Sequence, residues 1–255
     1  MKSLFSSIIF GIIGILIVLS CSKPAVREQE SPRQLYDRAM QYYQKEKYLK
    51  AQAELQRLIY SFPGQTFIDT AQYFLGMTYY NISNYSESSA EFKKLLDTYP
   101  ASAYADAAQY QIAMSHYRES PRYSLDQTET FNAVDEFSTF LDKYPTSPLV
   151  DDARSKLNSL YGKLAEKMYK NGETYMKLHD YGPAILYFGQ VRDNYPSTEW
   201  AKLAFYYTGL AQLHNGQKND ALETFQNFVT AFPDHKLAKD ARKEISKLQP
   251  EQAGG

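Results

Sequence analysis

The chain reads as all-α, a helical solenoid of about five helix pairs closed by a C-terminal capping helix. Two observations carry this. An aromatic residue followed by proline recurs at Phe62-Pro63, Tyr99-Pro100, Tyr144-Pro145, Tyr195-Pro196 and Phe232-Pro233, with spacings of 37, 45, 51 and 37 residues. A period in the thirties with two helices in each unit marks a repeat array, in which a unit buries its apolar face only against its neighbours. The second observation is a common skeleton, read backwards from each proline. It runs Ala39, Tyr42, Ala51, Leu55, Leu58 in unit one and Gly76, Tyr79, Ser88, Phe92, Leu95 in unit two. Unit three has Ala113, His116, Ala133, Phe137, Phe140, unit four Gly172, Tyr175, Ala184, Phe188, Val191, and unit five Gly209, Gln212, Ala221, Phe225, Phe228. The small residues let two antiparallel helices cross closely and the large ones fill the space between them. Proline ends the second helix because it lacks an N–H and its ring clashes with the preceding turn.

The N-terminus is of another character. Residues 1–20 carry one charge, Lys2, before an apolar run from Leu4 to Leu19 that stops at Val18-Leu19-Ser20-Cys21. A short basic region followed by an apolar stretch of this length is a signal segment. Its end resembles a bacterial lipobox, with Cys21 as the residue that becomes lipidated. Cys21 is the only cysteine, so an intramolecular disulfide and a cysteine zinc site are excluded. Three acyl chains on Cys21, at about 0.8 kcal/mol per buried methylene, would anchor the chain far more firmly than a single reversible lipid. Residues 21–31 are then the lipidated cysteine and a polar, flexible tether. Removal of 1–20 leaves 27 basic and 29 acidic residues. That balance offers no basic field for nucleic acid.

The repeats follow at 32–63, 66–100, 102–145, 147–196 and 197–233. The skeleton resembles the tetratricopeptide repeat, which implies a right-handed solenoid. Thr66 to Asp69 has capping-box spacing, and Ser102 and Ser147 stand four residues before Asp106 and Asp151. Both patterns predict helix starts with acid near the positive end of the helix. The extra length of unit three falls between its helices, around 119–129. That of unit four precedes its pair, where Leu149, Ala153, Leu157, Leu160, Tyr161 and Leu164 form one helical stripe. Leu237, Ala241, Ile245 and Leu248 put a capping helix at 237–248, and 249–255 is expected to be a disordered tail.

Catalytic motifs are absent. None of the four histidines, at 116, 179, 214 and 235, has metal-ligand spacing, and His116 stands where three other units carry Tyr, a packing position. No nucleophile elbow, Walker loop or dinucleotide fingerprint is present. A binding protein without catalytic residues, metal or cofactor is expected. One pattern goes beyond the fold: Tyr36, Met40 and Tyr43 recur as Tyr73, Met77 and Tyr80, then as Tyr110, Met114 and Tyr117, 37 residues apart each time. Within a helix the spacing i, i+4, i+7 is one face. Two readings are open. The rows form a peptide groove, since Met and Tyr make an adaptable surface rich in hydroxyls, or they pack one unit on the next.

Lipobox, tether, five units and cap together resemble the ComL (BamD-type) family of outer-membrane protein assembly lipoproteins, over nearly the whole chain. Leu35-Tyr36-Asp37-Arg38-Ala39, Asp126-Gln127-Thr128-Glu129-Thr130 and Leu164-Ala165-Glu166 carry the resemblance. It implies a lipid-anchored protein on the periplasmic face of the Gram-negative outer membrane. Its implied partners are a BamA-type barrel subunit, other assembly-machinery lipoproteins and unfolded outer-membrane β-barrel precursors. Ser22 is not the Asp that typically retains lipoproteins at the inner membrane. The alternatives are a periplasmic coordinator of the Tol–Pal and cell-division type, although no heptad segment precedes the repeats, and a ligand-capturing lipoprotein, although the chain has only Trp200.

Overall fold

The computed structural model describes residues 30–249, so Cys21, the signal segment, nearly all of the tether and the tail after 249 lie outside the described residues. Among these the chain forms eleven α-helices and no strand: α1 (Pro32–Gln44), α2 (Tyr48–Ser61), α3 (Ile68–Asn81), α4 (Tyr85–Thr98), α5 (Ala105–Glu119), α6 (Thr128–Lys143), α7 (Val150–Lys177), α8 (Tyr181–Asn194), α9 (Glu199–His214), α10 (Lys218–Ala231) and α11 (Ala238–Leu248). Each helix packs on the next in sequence. This is the tetratricopeptide-type solenoid, and α7 joins the stripe before unit four to that unit's first helix without a break.

The aromatic–proline links adopt one geometry. Phe62, Tyr99, Tyr144, Tyr195 and Phe232 each cap the second helix of their unit, with φ between −138° and −127° and ψ between 50° and 61°. Each donates its N–H to the carbonyl four residues back. The following Pro cannot donate the next bond, so the helix stops there. The aromatic carbonyl instead accepts the N–H of the third residue on, as in Ser102 to Tyr99 at 2.9 Å and Ser147 to Tyr144 at 3.1 Å.

Close crossing is visible at three glycines. A Cβ placed on Gly76, Gly172 or Gly209 would lie 2.7, 2.8 or 2.7 Å from the ring of Phe92, Phe188 or Phe225, each 16 residues on. All three rings are fully buried. Unit one has the same spacing with Ala39 and Leu55, where the smaller partner leaves room for a methyl group.

The helix starts follow the spacing in part: Ser102 Oγ accepts from Tyr104 N at 3.2 Å and Ser147 Oγ from Leu149 N at 3.3 Å, each at the residue just before the helix and not inside it. Phe67, not Thr66, is the residue before α3, and it makes no side-chain cap bond. Ser102 Oγ donates to Asp69 Oδ2 at 2.7 Å, and Ser147 Oγ donates to Asp106 Oδ2 at 2.7 Å. Each acid therefore sits in the first turn of one unit's opening helix and also holds the link that starts the next unit. The short serine side chain reaches this acid because the antiparallel pair returns the link after its second helix to the start of its first. Thr198, by contrast, is a true N-cap, accepting from Ala201 N at 3.2 Å.

The insertion of unit three is the stretch between α5 and α6. Gln127, buried, donates through Nε2 to the carbonyls of Arg122 and Leu125 at 3.0 and 3.1 Å, while its Oε1 accepts from buried Thr130 at 2.8 Å. From α7, Lys163 Nζ reaches Ser120 Oγ at 2.6 Å and Lys167 Nζ reaches the Leu125 carbonyl at 2.6 Å. The insertion is thus fastened along its length to the long helix.

Candidate peptide-binding site

The three rows on the first helices differ in what they touch. In the first row Tyr36 packs on Phe67 with ring centroids 5.2 Å apart, and Tyr73 stacks on Tyr104 at 4.5 Å. Tyr110 is 8% exposed in a cluster with Leu149, against Phe137 and Phe140. Its hydroxyl hydrogen-bonds the Asp152 carboxylate. The same contact recurs beyond the third unit: Tyr169 meets Trp200 at 5.1 Å, and Tyr206 shares a cluster with Leu237. Each partner is the residue next to the start of the following unit's opening helix. The first row is therefore an interface between units that runs the length of the array. Burial raises the tyrosine pKa values along it, with Tyr73 pushed up to about 12 and Tyr110 raised further with help from Asp152.

Middle and third rows, like Tyr36 and Tyr73 of the first, stay partly open to solvent, and Tyr43 also packs on Phe74 of the next unit at 5.2 Å. Met40, Met77 and Met114 are half-buried, Met77 against the Phe92 cluster and Met114 against the Phe137 cluster. In the third row Tyr43 accepts from Asn81 Nδ2 at 3.1 Å, and Tyr80 accepts from Arg118 Nε at 2.9 Å. Lys156 Nζ lies 5.7 Å from the Tyr117 ring centroid. Each third-row tyrosine thus holds a polar side chain of the next unit while leaving ring area uncovered. A thioether, a phenol ring and a cation or amide repeat along this face. An extended peptide could meet apolar side-chain sites at the Met positions and hydrogen-bonding groups at the tyrosines.

One further feature was not legible in the rows. A cavity of about 320 Å³ lies between the insertion, α7 and the link residue Tyr195. Phe131, Leu164, Met168 and Tyr195 supply its apolar wall, and Thr128, Lys167 and Asn171 its polar groups. Phe131 remains 51% exposed at its edge. Hydrogen bonding from Thr128 holds the Asp126 carboxyl below the usual carboxylate range. Two segments that carry the family resemblance, Asp126–Thr130 and Leu164–Glu166, meet here. They are 34 residues apart from Thr130 to Leu164, so only the fold joins them.

No helix among the described residues is long and apolar enough to cross a membrane. The family model described as outer membrane lipoprotein, YfiO, matches residues 28–215, and a tetratricopeptide-repeat model matches 203–235. No curated protein matches the chain as a relative. Among solved structures, the chain is similar to the TPR2AB domain of yeast Sti1 in complex with pHSP90, at 10% identity and a TM-score of 0.44, covering 86% of this chain and 83% of that one. It is also similar to a tetratricopeptide repeat protein from Parabacteroides merdae, at 14% identity and a TM-score of 0.37, covering 85% and 73%.

Proposed function

Because the chain belongs to the outer membrane lipoprotein family YfiO, we propose that it is a non-enzymatic scaffold of the β-barrel assembly machinery. The observation that carries this reading is the family match across residues 28–215, which takes in the first four repeats and the opening helix of the fifth. In this reading the Cys21 thiol is lipidated, 1–20 is then removed, and the anchor holds the repeats at the periplasmic face of the outer membrane. The scaffold binds a BamA-type barrel subunit, sits with other assembly lipoproteins, and receives unfolded β-barrel precursors for insertion.

Client contact is assigned to the half-exposed rows Met40/Met77/Met114 and Tyr43/Tyr80/Tyr117, with Tyr36, Tyr73 and Tyr110 setting the distance between units. The client is an extended, aromatic-bearing segment, whose side chains suit the thioethers and whose free backbone suits the phenols. Affinity then rests on a few anchors, and truncating a good one costs about 2 kcal/mol or more.

A pull-down from detergent-solubilised envelopes, read by mass spectrometry, tests the assignment. An abundant barrel protein with periplasmic repeats is the expected partner, and recovery of Tol–Pal components instead would replace this reading with the coordinator one. For the site, Met77→Ala and Tyr80→Ala are each measured for thermal stability and for binding of a barrel C-terminal peptide. Loss of affinity at retained melting temperature supports the groove. Lost stability with intact affinity assigns both rows to packing. For the anchor, Cys21→Ala is expected to accumulate as a precursor without acyl label.

A further inference from the structure

Unit three differs from its neighbours where its helices are joined, and the difference brings three metal-ligating groups together. His116 is in the last turn of α5, Glu119 ends that helix, and Glu129 is in the first turn of α6. One ligand atom from each lies within 4.8 Å of the other two. His116 Nδ1 and Glu129 Oε2 are already 2.6 Å apart, with the imidazole 17% and the carboxylate 35% exposed. Units one, two and four carry Tyr42, Tyr79 and Tyr175 at the His116 position, so this set belongs to unit three alone.

We propose that His116, Glu119 and Glu129 bind one zinc-like divalent cation, which clamps the two ends of the insertion. The chemistry of the set argues for this class. One imidazole nitrogen and two carboxylates give three protein ligands with room for water, the arrangement of an open zinc site. Mixed nitrogen and oxygen donors favour zinc over magnesium or calcium, which take oxygen ligands. Two carboxylates against a dication leave the site neutral, with the imidazole as an uncharged third ligand. Small movements reach the required spacing. Ligands about 2.1 Å from a tetrahedral zinc stand roughly 3.4 Å apart, so the cation replaces the proton between His116 Nδ1 and Glu129 Oε2, that pair opens from 2.6 Å, and Glu119, exposed at the end of its helix, swings inward. Glu129 is held on its other side by Asn132 Nδ2, 3.3 Å from Oε1, the kind of outer contact that orients a ligating carboxylate. Binding requires the deprotonated imidazole nitrogen, so metal affinity falls as pH drops.

The full chain, stripped of metal, is titrated with zinc chloride by calorimetry, and cobalt is added to read its absorption in the visible range. One ion per chain, a rise in melting temperature with zinc and none with magnesium are expected. His116→Ala and Glu119→Gln should each weaken zinc at least tenfold. Glu119 is exposed, so metal-free Glu119→Gln should melt with the native chain and isolate the ligand role from any folding effect. His235→Ala, which removes a histidine paired with Glu199 elsewhere in the array, should leave binding intact. No zinc uptake by the native chain, or uptake unchanged by Glu119→Gln or His116→Ala, would overturn the site.

Discussion

Single residues decide how each unit turns. The helices of units one, two, four and five are joined through Glu46, Ser83, His179 and Gly216, all with positive φ, at 55°, 61°, 58° and 81°. The residue that follows each donates its N–H to the carbonyl five residues back, as Lys47 does to Tyr42 and Gln217 to Gln212, which closes the helix end in the left-handed manner glycine favours. Three of the four turns use a side chain where glycine would be unstrained. Glu46→Gly removes roughly 1–2 kcal/mol of left-handed strain and loses about 0.4–1 kcal/mol to the freer unfolded chain. A net gain of about 0.5 kcal/mol is expected by urea unfolding, and Gly216→Ala should lose about 1 kcal/mol. Tyrosine titration acts at the same scale. Burial first, then neighbouring charges, raise Tyr73 and Tyr206 from 10.0 to about 12. A raised pKa in the folded state gives stability that is complete below the unfolded value and is lost as pH climbs through the folded one. The native chain should therefore lose stability between pH 10 and about 12, with tyrosinate absorbance rising together with the loss of helical circular dichroism. Absorbance that rises fully before any unfolding would contradict the interface role of these rings.

Between elements, the decisive contact is a glycine under a ring. At Gly76 an added methyl lies 2.7 Å from Phe92, and the ring, fully buried, has no free direction in which to retreat. Overpacking of this kind costs about 1–3 kcal/mol, against a helix-propensity gain of about 1 kcal/mol for Ala over Gly. Gly76→Ala should be destabilising on balance. Unit one supplies the remedy, since Ala39 sits with Leu55 in the equivalent places. The double variant Gly76→Ala with Phe92→Leu should recover part of the loss, giving a coupling of about 1 kcal/mol in a double-mutant cycle. Additive losses would show that the two side chains do not share the space. The serine–aspartate bonds belong to this scale too. Ser147→Ala removes a donor from Asp106, and about 1 kcal/mol of stability should go with it.

The whole array stands on its ends. Each unit is covered by the next, so the last needs a cover of another kind. Ala238 and Ala241 of α11, with Leu237, Ile245 and Leu248 beside them, close the cluster that holds Tyr206, Phe225 and Phe228. The outer side of α11 is charged, with Lys239, Asp240, Arg242 and Lys243 exposed. A chain ending after Pro233 would uncover the rings of unit five. It should elute as aggregates on gel filtration and melt well below the full chain, and a monomeric product of unchanged melting temperature would show that α11 is dispensable.

The architecture was written in the sequence because it is local and repeated. A proline after an aromatic residue stops a helix wherever it stands, and five copies of Gly or Ala set 16 or, in unit three, 24 residues before a large side chain fix which faces meet. The helical stripe before unit four and the place of the insertion followed from the same repeat. What depended on residues distant in sequence was not legible. Nothing in the spacing of Ser102 and Asp69, 33 residues apart, says that they bond to each other as well as each at its own helix start. The first-row tyrosines looked the same as the third-row ones, yet packing buries Tyr110 and leaves Tyr80 half-open. The approach of His116 to Glu129 exists only because α5 and α6 pair across the insertion, and the cavity between Phe131 and Tyr195 only because α7 packs against it. Period and helix ends are set by each residue and its near neighbours along the chain. Which side chains share a site is set by how the helices stack, and that is decided in three dimensions.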